Sequence, residues 1–326
     1  MAKRWRIASH DPNRILALQR AAGVPAVVAQ LLVCRGIVDP QRVREFLDPQ
    51  LNGLRDPDLL PGASQAAHRI AAAAAAGQRI VVYGDYDADG MTGTSILLLC
   101  LRLIGANVAY HLPNRMNEGY GLSDDALRKL AAAGAKMIIT VDCGITSVAQ
   151  AETARQLGLQ LIITDHHQMA DRLPEADGLV HPCLPGHSYP FAGLAGAGVA
   201  FKMAWAICQE VTQAKRVSPP MRNFLLQAVG LAAIGTVADV VPLVDENRIL
   251  VRHGLGSLRQ SPTPGIAALA AVCKLNAKPY YTSEDIAFTL APRLNAAGRL
   301  GQAQLAVELL TTADADRAET LAQYIH

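Results

Sequence analysis

The 326-residue sequence has no excess of one charge and no paired cysteines. Its 30 lysines and arginines against 28 aspartates and glutamates leave a formal net charge of +2, so the overall charge does not mark a nucleic-acid partner. The six cysteines are scattered and form no C-x-x-C pair. We therefore expect free thiols in a reducing compartment.

Long apolar runs and an export signal are also absent. The first residues, MAKRWRIASHDPNR, carry positive charge but no apolar core of a signal peptide. The longest apolar stretches, around MTGTSILLLCL and AVGLAAIGTVA, are shorter than the roughly 18 residues that span a bilayer. Because 51% of the residues are hydrophobic, the chain can bury a large core, and we expect a globular, cytoplasmic protein without a membrane partner.

What the sequence does contain is four short clusters of aspartate and histidine. Each cluster directly follows a short apolar run, and apolar runs of this kind between helical segments predict buried strands of a parallel sheet. The carboxyl ends of such strands form the ligand-binding edge of the sheet, so we expect the clusters to converge there. They comprise Asp85, Asp87 and Asp89 in GDYDADG, Asp142 in DCG, Asp165, His166 and His167 in DHH, and Asp239 in GTVAD.

The converging carboxylates would repel one another unless a cation lay between them. Two carboxylates about 4 Å apart repel by roughly 4 kcal/mol at an effective dielectric constant near 20. Several such pairs would exceed the roughly 5–15 kcal/mol that holds a domain folded. An oxygen-rich ligand set with imidazole and no thiolate suits Mn²⁺ or Mg²⁺, and we predict two such ions.

The order of the segments predicts an α/β fold with a doubly wound, mostly parallel sheet. Strand-like runs recur at spacings of roughly 25 to 30 residues with helical segments between them, as in right-handed βαβ units. We divide the chain into an N-terminal helical segment (1–60), a catalytic domain (61–259) and a C-terminal helical region (260–326). The final segment, TADADRAETLAQYIH, is typical of a helix without a stop signal, so we expect a connecting helix that is cut short.

Other interpretations of the motifs fit less well. A helix-flanked calcium loop starting at Asp85 needs Glu at its twelfth position, which is Ile96. A phosphoaspartate phosphatase loop needs Thr or Val at its fifth position, which is Asp89 counted from Asp85 and Met91 counted from Asp87. GLAGAG lacks the G-x-G-x-x-G order of a dinucleotide site and predicts only tight packing or a helix N-terminus.

Together the four motifs resemble those of the DHH phosphoesterases. Within that group, the strings PNRMNEGYGLS, AGAGVAFK, ADVVPL and LAPRLNAAGRLG are similar to those of the RecJ single-strand-specific DNA exonucleases. The resemblance covers roughly residues 60–312. It implies the catalytic part of a family whose members continue into a DHHA1-type domain and an OB-type domain.

The resemblance also implies a role for the residues of the clusters. Asp87 and Asp89 would each bind one ion, Asp142 and Asp239 would bridge the two ions, and His166 would complete the second site. Asp142 and Asp239 would thereby belong to the catalytic set.

The remaining members of the clusters have separate expected roles. Adjacent histidines at a strand end point in different directions, and the resemblance implies that His167 faces the scissile phosphate as a catalytic residue. Related phosphoesterases use a histidine four residues before the D-x-D pair. This sequence has Tyr83 there, so we expect Asp85 to supply the metal ligand at that corner.

Four residues outside the clusters are the predicted substrate-binding set. The resemblance implies that Arg115 and Arg299 hold the phosphate on the 5′ side, and we assign Asn295, from the same LAPRLNAAGRLG string as Arg299, to the substrate as well. Tyr120, in the GYG loop, is positioned to stack on a base, a contact worth roughly 1 to 3 kcal/mol.

The implied function is metal-dependent 5′→3′ hydrolysis of single-stranded DNA in recombination and repair. We expect a monomer that acts on single-stranded DNA, with a single-strand-binding protein as a further partner. Two alternatives stay open. One is a DHH phosphodiesterase that acts on short oligonucleotides or cyclic dinucleotides, and the other is a non-catalytic DNA-binding scaffold.

Overall fold

The computed structural model describes residues 11–114, 119 and 121–326. The chain separates into two compact units, Met1–Leu54 and Arg55–His326. The three-part division at residues 60 and 259 stays a prediction.

Three α-helices make up most of the described part of the first unit. They are α1 (Pro12–Ala22), α2 (Ala26–Cys34) and α3 (Pro40–Leu47). Asp11 and Asp39 cap α1 and α3 by accepting backbone hydrogen bonds, and each helix then begins with proline, whose fixed backbone angle suits a first turn. A small apolar core joins the three helices through Leu18, Ala29, Leu32 and Val43.

The second unit contains a five-stranded sheet in which every pair of neighbouring strands is parallel. The strands lie in the order β2-β1-β3-β4-β5. All residues of β1 and β3 are buried, as expected for central strands covered on both faces. The strands are β1 (Ile80–Gly84), β2 (Val108–His111), β3 (Met137–Val141), β4 (Gln160–Thr164) and β5 (Gly178–Val180).

Helices surround this sheet and form most of the C-terminal half. Two short 3₁₀ helices, Leu51–Gly53 and Pro57–Leu59, precede them, and a π-helical turn, Ile286–Leu290, connects α12 to α13. The helices are α4 (Ala63–Ala75), α5 (Ala88–Leu103), α6 (Asp124–Ala132), α7 (Val148–Gln156), α8 (Gly196–Thr212), α9 (Pro219–Ala238), α10 (Asp245–Gln260), α11 (Pro264–Val272), α12 (Ser283–Asp285), α13 (Ala291–Arg299), α14 (Ala303–Thr311) and α15 (Ala315–Ile325).

Both faces of the sheet are covered. Helices α6 and α7 pack on the face that carries Val81, Ile138 and Ile163. On the opposite face, Gly93 of α5 lies so close to Val141 that an added Cβ would be 2.6 Å from its Cγ1 atom. The predicted doubly wound, parallel α/β architecture is therefore confirmed.

One described helix, α9, is long and apolar enough to cross a membrane by length and composition, and the bent pair of α1 and α2 passes the same test only if it is counted as one broken span. Half of the most apolar window of α9 is buried inside the protein. A core helix of a soluble protein has the same properties. All six cysteines are free.

Candidate metal centre

Three of the predicted aspartates stand at equivalent positions on neighbouring strands. Asp85 follows β1 and donates its backbone N–H to Val141, Asp142 follows β3 and donates to Thr164, and Asp165 follows β4 and donates to the end of β5. The strand order reverses between β1 and β3, which is where open α/β sheets bind ligands. The ladder therefore fixes these aspartates side by side along one crevice.

The start of α5 brings two more carboxylates to the crevice. Asp87 is the N-cap of α5, and its side chain accepts a hydrogen bond from the backbone N–H of Gly90 at 2.9 Å. Asp89 lies in the first turn of the same helix and is buried. The N-terminal end of α5 thus supplies the carboxylates of Asp87 and Asp89 to the crevice.

The N-terminus of α8 holds Asp89 in place. The backbone N–H groups of Gly196 and Ala197 donate to the two carboxylate oxygens of Asp89, at 2.7 and 2.9 Å. Glycine is needed here because a Cβ at Gly196 would lie 2.6 Å from Oδ1 of Asp142, and a Cβ at Gly235 would lie 2.4 Å from Oδ1 of Asp89. The AGAG string of the sequence therefore forms a helix N-terminus that stabilises the carboxylate of Asp89.

His166 lies among three carboxylates. Its Nε2 atom is 3.0 Å from Oδ1 of Asp142, 3.7 Å from Oδ2 of Asp89 and 3.8 Å from Oδ2 of Asp239. Burial, followed by the charge of neighbouring His167, lowers the pKa of His166 to about 4. A neutral imidazole at this place can donate a lone pair to a cation.

The ligand atoms form three groups that could each hold an ion, with all atoms of a group within 4.8 Å of one another. Asp142 occurs in two of the groups and His166 in two, so adjacent groups share residues. The bridging roles predicted for Asp142 and Asp239 stay predictions, and Asp239 occurs in one group. The groups are Asp85, Asp87 and Asp142; Asp89, His166 and Asp239; and Asp142, His166 and His167.

Burial and mutual repulsion raise the pKa of the crevice carboxylates. The pKa of Asp85 is raised to about 7, first by burial and then by Asp87, and the pKa of Asp239 is raised to about 6 by the same two causes. Burial, followed by the charges of neighbouring aspartates, holds the pKa values of Asp89 and Asp142 well above their ordinary value. Without a cation, this site therefore resists full ionisation.

Asp165 orients His167 rather than joining a ligand group. Its Oδ1 atom accepts the backbone N–H of His166, the backbone N–H of His167 and the Nδ1–H of His167, while Oδ2 accepts the backbone N–H of Ile145. Burial alone raises the pKa of Asp165, but these hydrogen bonds outweigh it and the pKa lies below its ordinary value. The hydrogen bond that His167 donates to Asp165 raises the pKa of His167, whose side chain is 44% exposed.

Comparison with known proteins places this geometry in a family. The sequence model described as the DHH family, N-terminal domain, matches residues 79–236. Over 324 residues the chain is 41% identical to the single-stranded-DNA-specific exonuclease RecJ of Bacillus subtilis, and the match covers 99% of this chain and 39% of that protein. The match to the sequence model places residues 79–236 in the DHH family. The resemblance predicted from its motifs is confirmed.

Two solved RecJ structures from Thermus thermophilus align with nearly all of this chain. The complex with Mn²⁺ has a TM-score of 0.82 at 35% identity and covers 99% of this chain and 45% of that one. The complex with Mg²⁺ has a TM-score of 0.71 at 33% identity and covers 99% of this chain and 42% of that one. The chain therefore spans less than half the length of these relatives.

The donor atoms of the crevice fit Mn²⁺ and Mg²⁺, the two kinds of ion that were predicted. These donors are carboxylate oxygens and imidazole nitrogen, the ligands that suit Mn²⁺ and Mg²⁺. Oδ1 of Asp85 is buried and accepts no hydrogen bond from the described residues, as expected for an oxygen that faces a cation. Tyr83, at the corner where related proteins use histidine, lies in the core and donates its hydroxyl to the carbonyl of Gly121.

The predicted substrate residues are placed unevenly. Arg299 is exposed at the end of α13, next to Gly298, where an added Cβ would lie 1.9 Å from the carbonyl oxygen of Tyr86 in the DHH metal loop. Asn295 uses its Oδ1 atom to accept the backbone N–H of Ala88 at 2.7 Å, so it caps the helix that carries Asp89. The predicted residues Arg115 and Tyr120 lie outside the described residues.

Sequence reasoning missed one residue that supports the DHH motif. His181 is buried, accepts the backbone N–H of Cys183 at Nδ1, and therefore donates from Nε2 to the carbonyl of His167 at 2.8 Å. The only sequence signal was a histidine directly after β5. That position lies at the same sheet edge as the other clusters.

Proposed function

We propose that this chain is a metal-dependent exonuclease that hydrolyses phosphodiester bonds of single-stranded DNA from the 5′ end. The observation that carries the proposal is the set of overlapping ligand groups, in which residues after β1, β3, β4 and α9 come within reach of common ions. The relatives named above are single-stranded-DNA-specific exonucleases by name, and 41% identity over 324 residues to one of them supports the same substrate.

Two divalent ions would be held by the crevice residues. Asp85, Asp87 and Asp142 would hold one, and Asp89, His166 and Asp239 would hold the other. When bound, such ions lower the pKa of water towards about 7 and neutralise charge on the phosphate.

His167 is the residue that we assign to the scissile phosphate. Asp165 accepts its Nδ1–H at 2.8 Å, and the side chain of His167 is 44% exposed. Because Asp165 raises the pKa of His167, the ring can carry a proton and donate it to a non-bridging phosphate oxygen. Asp165 and His181 hold this ring and its backbone in one orientation, which keeps the donor aimed at the crevice.

The 5′ end of the strand would lie on the side of α13. Arg299 and Arg115 would bind its phosphate, and Tyr120 would stack on a base. Asn295 would contact the strand through its Nδ2 atom, because its Oδ1 atom caps α5. Asn114, the residue before Arg115 in the chain, lies beside Gly301, two residues after Arg299, because an added Cβ at Gly301 would be 2.9 Å from Nδ2 of Asn114. Joint phosphate binding by the two arginines stays part of the proposal, which the family resemblance implies.

The direct test is Mn²⁺-dependent cleavage of single-stranded DNA labelled at its 5′ end in one sample and at its 3′ end in the other. We expect the 5′ label to leave as a small product at the earliest times, while the 3′-labelled strand shortens stepwise. Chelator should stop both reactions. Internal cuts, or shortening from the 3′ end, would contradict the proposal.

The same assay separates the alternatives. Hydrolysis of short oligonucleotides or cyclic dinucleotides without cleavage of long strands would indicate the small-substrate phosphodiesterase. Binding of single-stranded DNA without hydrolysis in Mn²⁺ would indicate the scaffold. We also propose that the protein acts in the cytoplasm as a monomer and in contact with a single-strand-binding protein, which size measurements and pull-down with that protein can test.

A further inference from the structure

Val240 adopts an unfavourable backbone conformation directly after Asp239. Its φ angle of 62° lies in the left-handed region, which helix ends normally fill with glycine. Among the described residues, four other non-glycine positions have a positive φ, and none of them is β-branched: Asp142, Gln213, Asp245 and Lys274. A β-branched residue in this region is a genuine outlier, and such strain concentrates at functional sites.

Burial does not offset this strain. Val240 is 85% exposed. Two nearby apolar residues, Pro242 and Val244, are also exposed, and Val244 is 42% exposed. We call these three residues the apolar lip. The exposure of apolar surface to water and the left-handed backbone conformation both lower the stability of the fold. A contact with another molecule would account for both features.

The apolar lip is fixed at both ends. Asp239 anchors its start in the metal centre, 3.8 Å from His166. At the other end, buried Asn247 donates from Nδ2 to the carbonyl oxygens of Pro242, at 3.1 Å, and Gly193, at 2.5 Å. Gly193 precedes the N-terminus of α8 that holds Asp89, so the apolar lip is tied to the frame of the crevice.

We propose that the apolar lip, and Val240 in particular, contacts the base of a nucleotide next to the scissile phosphate. The proposal rests on the proposed function and adds a specificity-determining residue to it. A single strand offers the apolar faces of its bases to such a surface, whereas a duplex keeps them stacked inside. A rigid apolar contact beside the metal ligands therefore favours single strands without reading their sequence.

The test combines substitution of Val240 with removal of a base. For the wild type in Mn²⁺, we compare an intact strand with strands that lack the base at the first or at the second nucleotide. One of the two abasic strands should have a KM about fivefold higher than the intact strand, as expected for the loss of an apolar contact. Val240→Gly should raise the KM for the intact strand by about the same factor and remove the difference between intact and abasic strands. Its kcat and its affinity for Mn²⁺, measured by calorimetry, should not change.

Stability supplies a second readout that an ordinary structural residue would not give. Because glycine relieves the left-handed strain, Val240→Gly should melt about 2 °C higher than the wild type while it binds DNA less well. Gln213→Gly is the matched control, since Gln213 has a positive φ of 50° at the far end of α8. It should leave the KM for both strands unchanged.

Three results would overturn the proposal. The first is an unchanged KM in Val240→Gly, and the second is a base preference that persists in this variant. The third is a normal base preference in Val240→Asn, because asparagine tolerates the left-handed region and that result would trace the glycine effect to loop flexibility. If the wild type cleaves neither the intact nor the abasic strand, the proposed function fails and this proposal fails with it. The cleavage assay with end-labelled DNA identifies that case separately.

Discussion

Two of the places where the second unit buries ionisable side chains are built on opposite principles. In the first, Lys202 and Glu246 are both fully buried, with Nζ of Lys202 2.5 Å from Oε1 of Glu246. Glu246 also accepts the hydroxyl of Tyr189 and the backbone N–H of Arg55, and Arg55 pairs with Asp245. Each charge in this network meets the opposite charge within the fold.

The metal crevice instead gathers mainly acidic side chains, with His167 beside them. The ion pairs that the described residues give Asp89 and Asp239 are to His166, and the lowered pKa of His166 keeps this ring neutral at pH 7. Asp85 and Asp239 consequently have raised pKa values, whereas the network around Glu246 is compensated. The difference separates buried charges that opposite charges of the protein compensate from buried carboxylates that need a bound cation.

The largest expected effect comes from removing a shared ligand. Asp142→Asn should reduce Mn²⁺-dependent hydrolysis by more than about a thousandfold, well beyond the roughly 10- to 100-fold loss typical of residues that only support a ligand. In chelator the same variant should melt higher than the wild type, because one repelling charge is gone. Asp125→Asn, at an exposed position in α6, is the control. Near-normal turnover in Asp142→Asn would contradict the assignment.

Breaking the compensated network should have the opposite effect on stability. Lys202→Met leaves the charge of Glu246 buried and less compensated, so the free energy of unfolding should fall by about 3–5 kcal/mol. The additional change Glu246→Gln removes that charge and should recover part of the loss. Denaturant unfolding in chelator measures both. A loss below about 1 kcal/mol for Lys202→Met would show that the network contributes little.

The pH dependence of metal-free stability should separate the two clusters further. The pKa of Asp85 is raised to about 7 and that of Asp239 to about 6, so the folded state binds these protons more tightly than the unfolded state does. Their contribution to stability is therefore complete below about pH 4 and is lost as pH rises to about 7. The free energy of unfolding in chelator should fall from about pH 5 to about pH 8, and saturating Mn²⁺ should remove this fall. A rise over that range would contradict the acidic crevice.

A moderate effect is expected from the residue that orients His167. Asp165→Asn cannot accept all of the hydrogen bonds that Asp165 takes, so His167 loses its fixed orientation. We expect a roughly 10- to 100-fold lower kcat with little change in Mn²⁺ affinity, because Asp165 is in none of the ligand groups. A large loss of Mn²⁺ affinity would instead make Asp165 a ligand.

The smallest effect concerns recognition of the strand end. Arg299→Lys keeps the charge but loses the two-pronged geometry of a guanidinium on a phosphate. The preference for a 5′ phosphate over a 5′ hydroxyl should therefore narrow by roughly 3- to 10-fold, a change on the scale of one weakened charged hydrogen bond. An unchanged preference, measured as the ratio of kcat/KM values, would remove Arg299 from the site.

The strand-end aspartates were predictable, and their supports were not. Asp85, Asp142 and Asp165 each follow an apolar run, so strand periodicity alone brings them to one edge. The bonds from Gly196 to Asp89 and from His181 to His167 depend on how distant segments pack, which a local pattern does not encode. Lys202 and Glu246 were missed for the same reason, since a lysine in an apolar helix reveals no partner 44 residues away.

The most direct test of the two-cluster account is to count and locate Mn²⁺ in the protein by anomalous X-ray diffraction, with calorimetry for the stoichiometry. We expect two ions in the crevice, one bound by Asp85, Asp87 and Asp142 and one by Asp89, His166 and Asp239, and none near Lys202 and Glu246. A crevice without ions at saturating Mn²⁺, with its carboxylates protonated and bonded to one another, would contradict it.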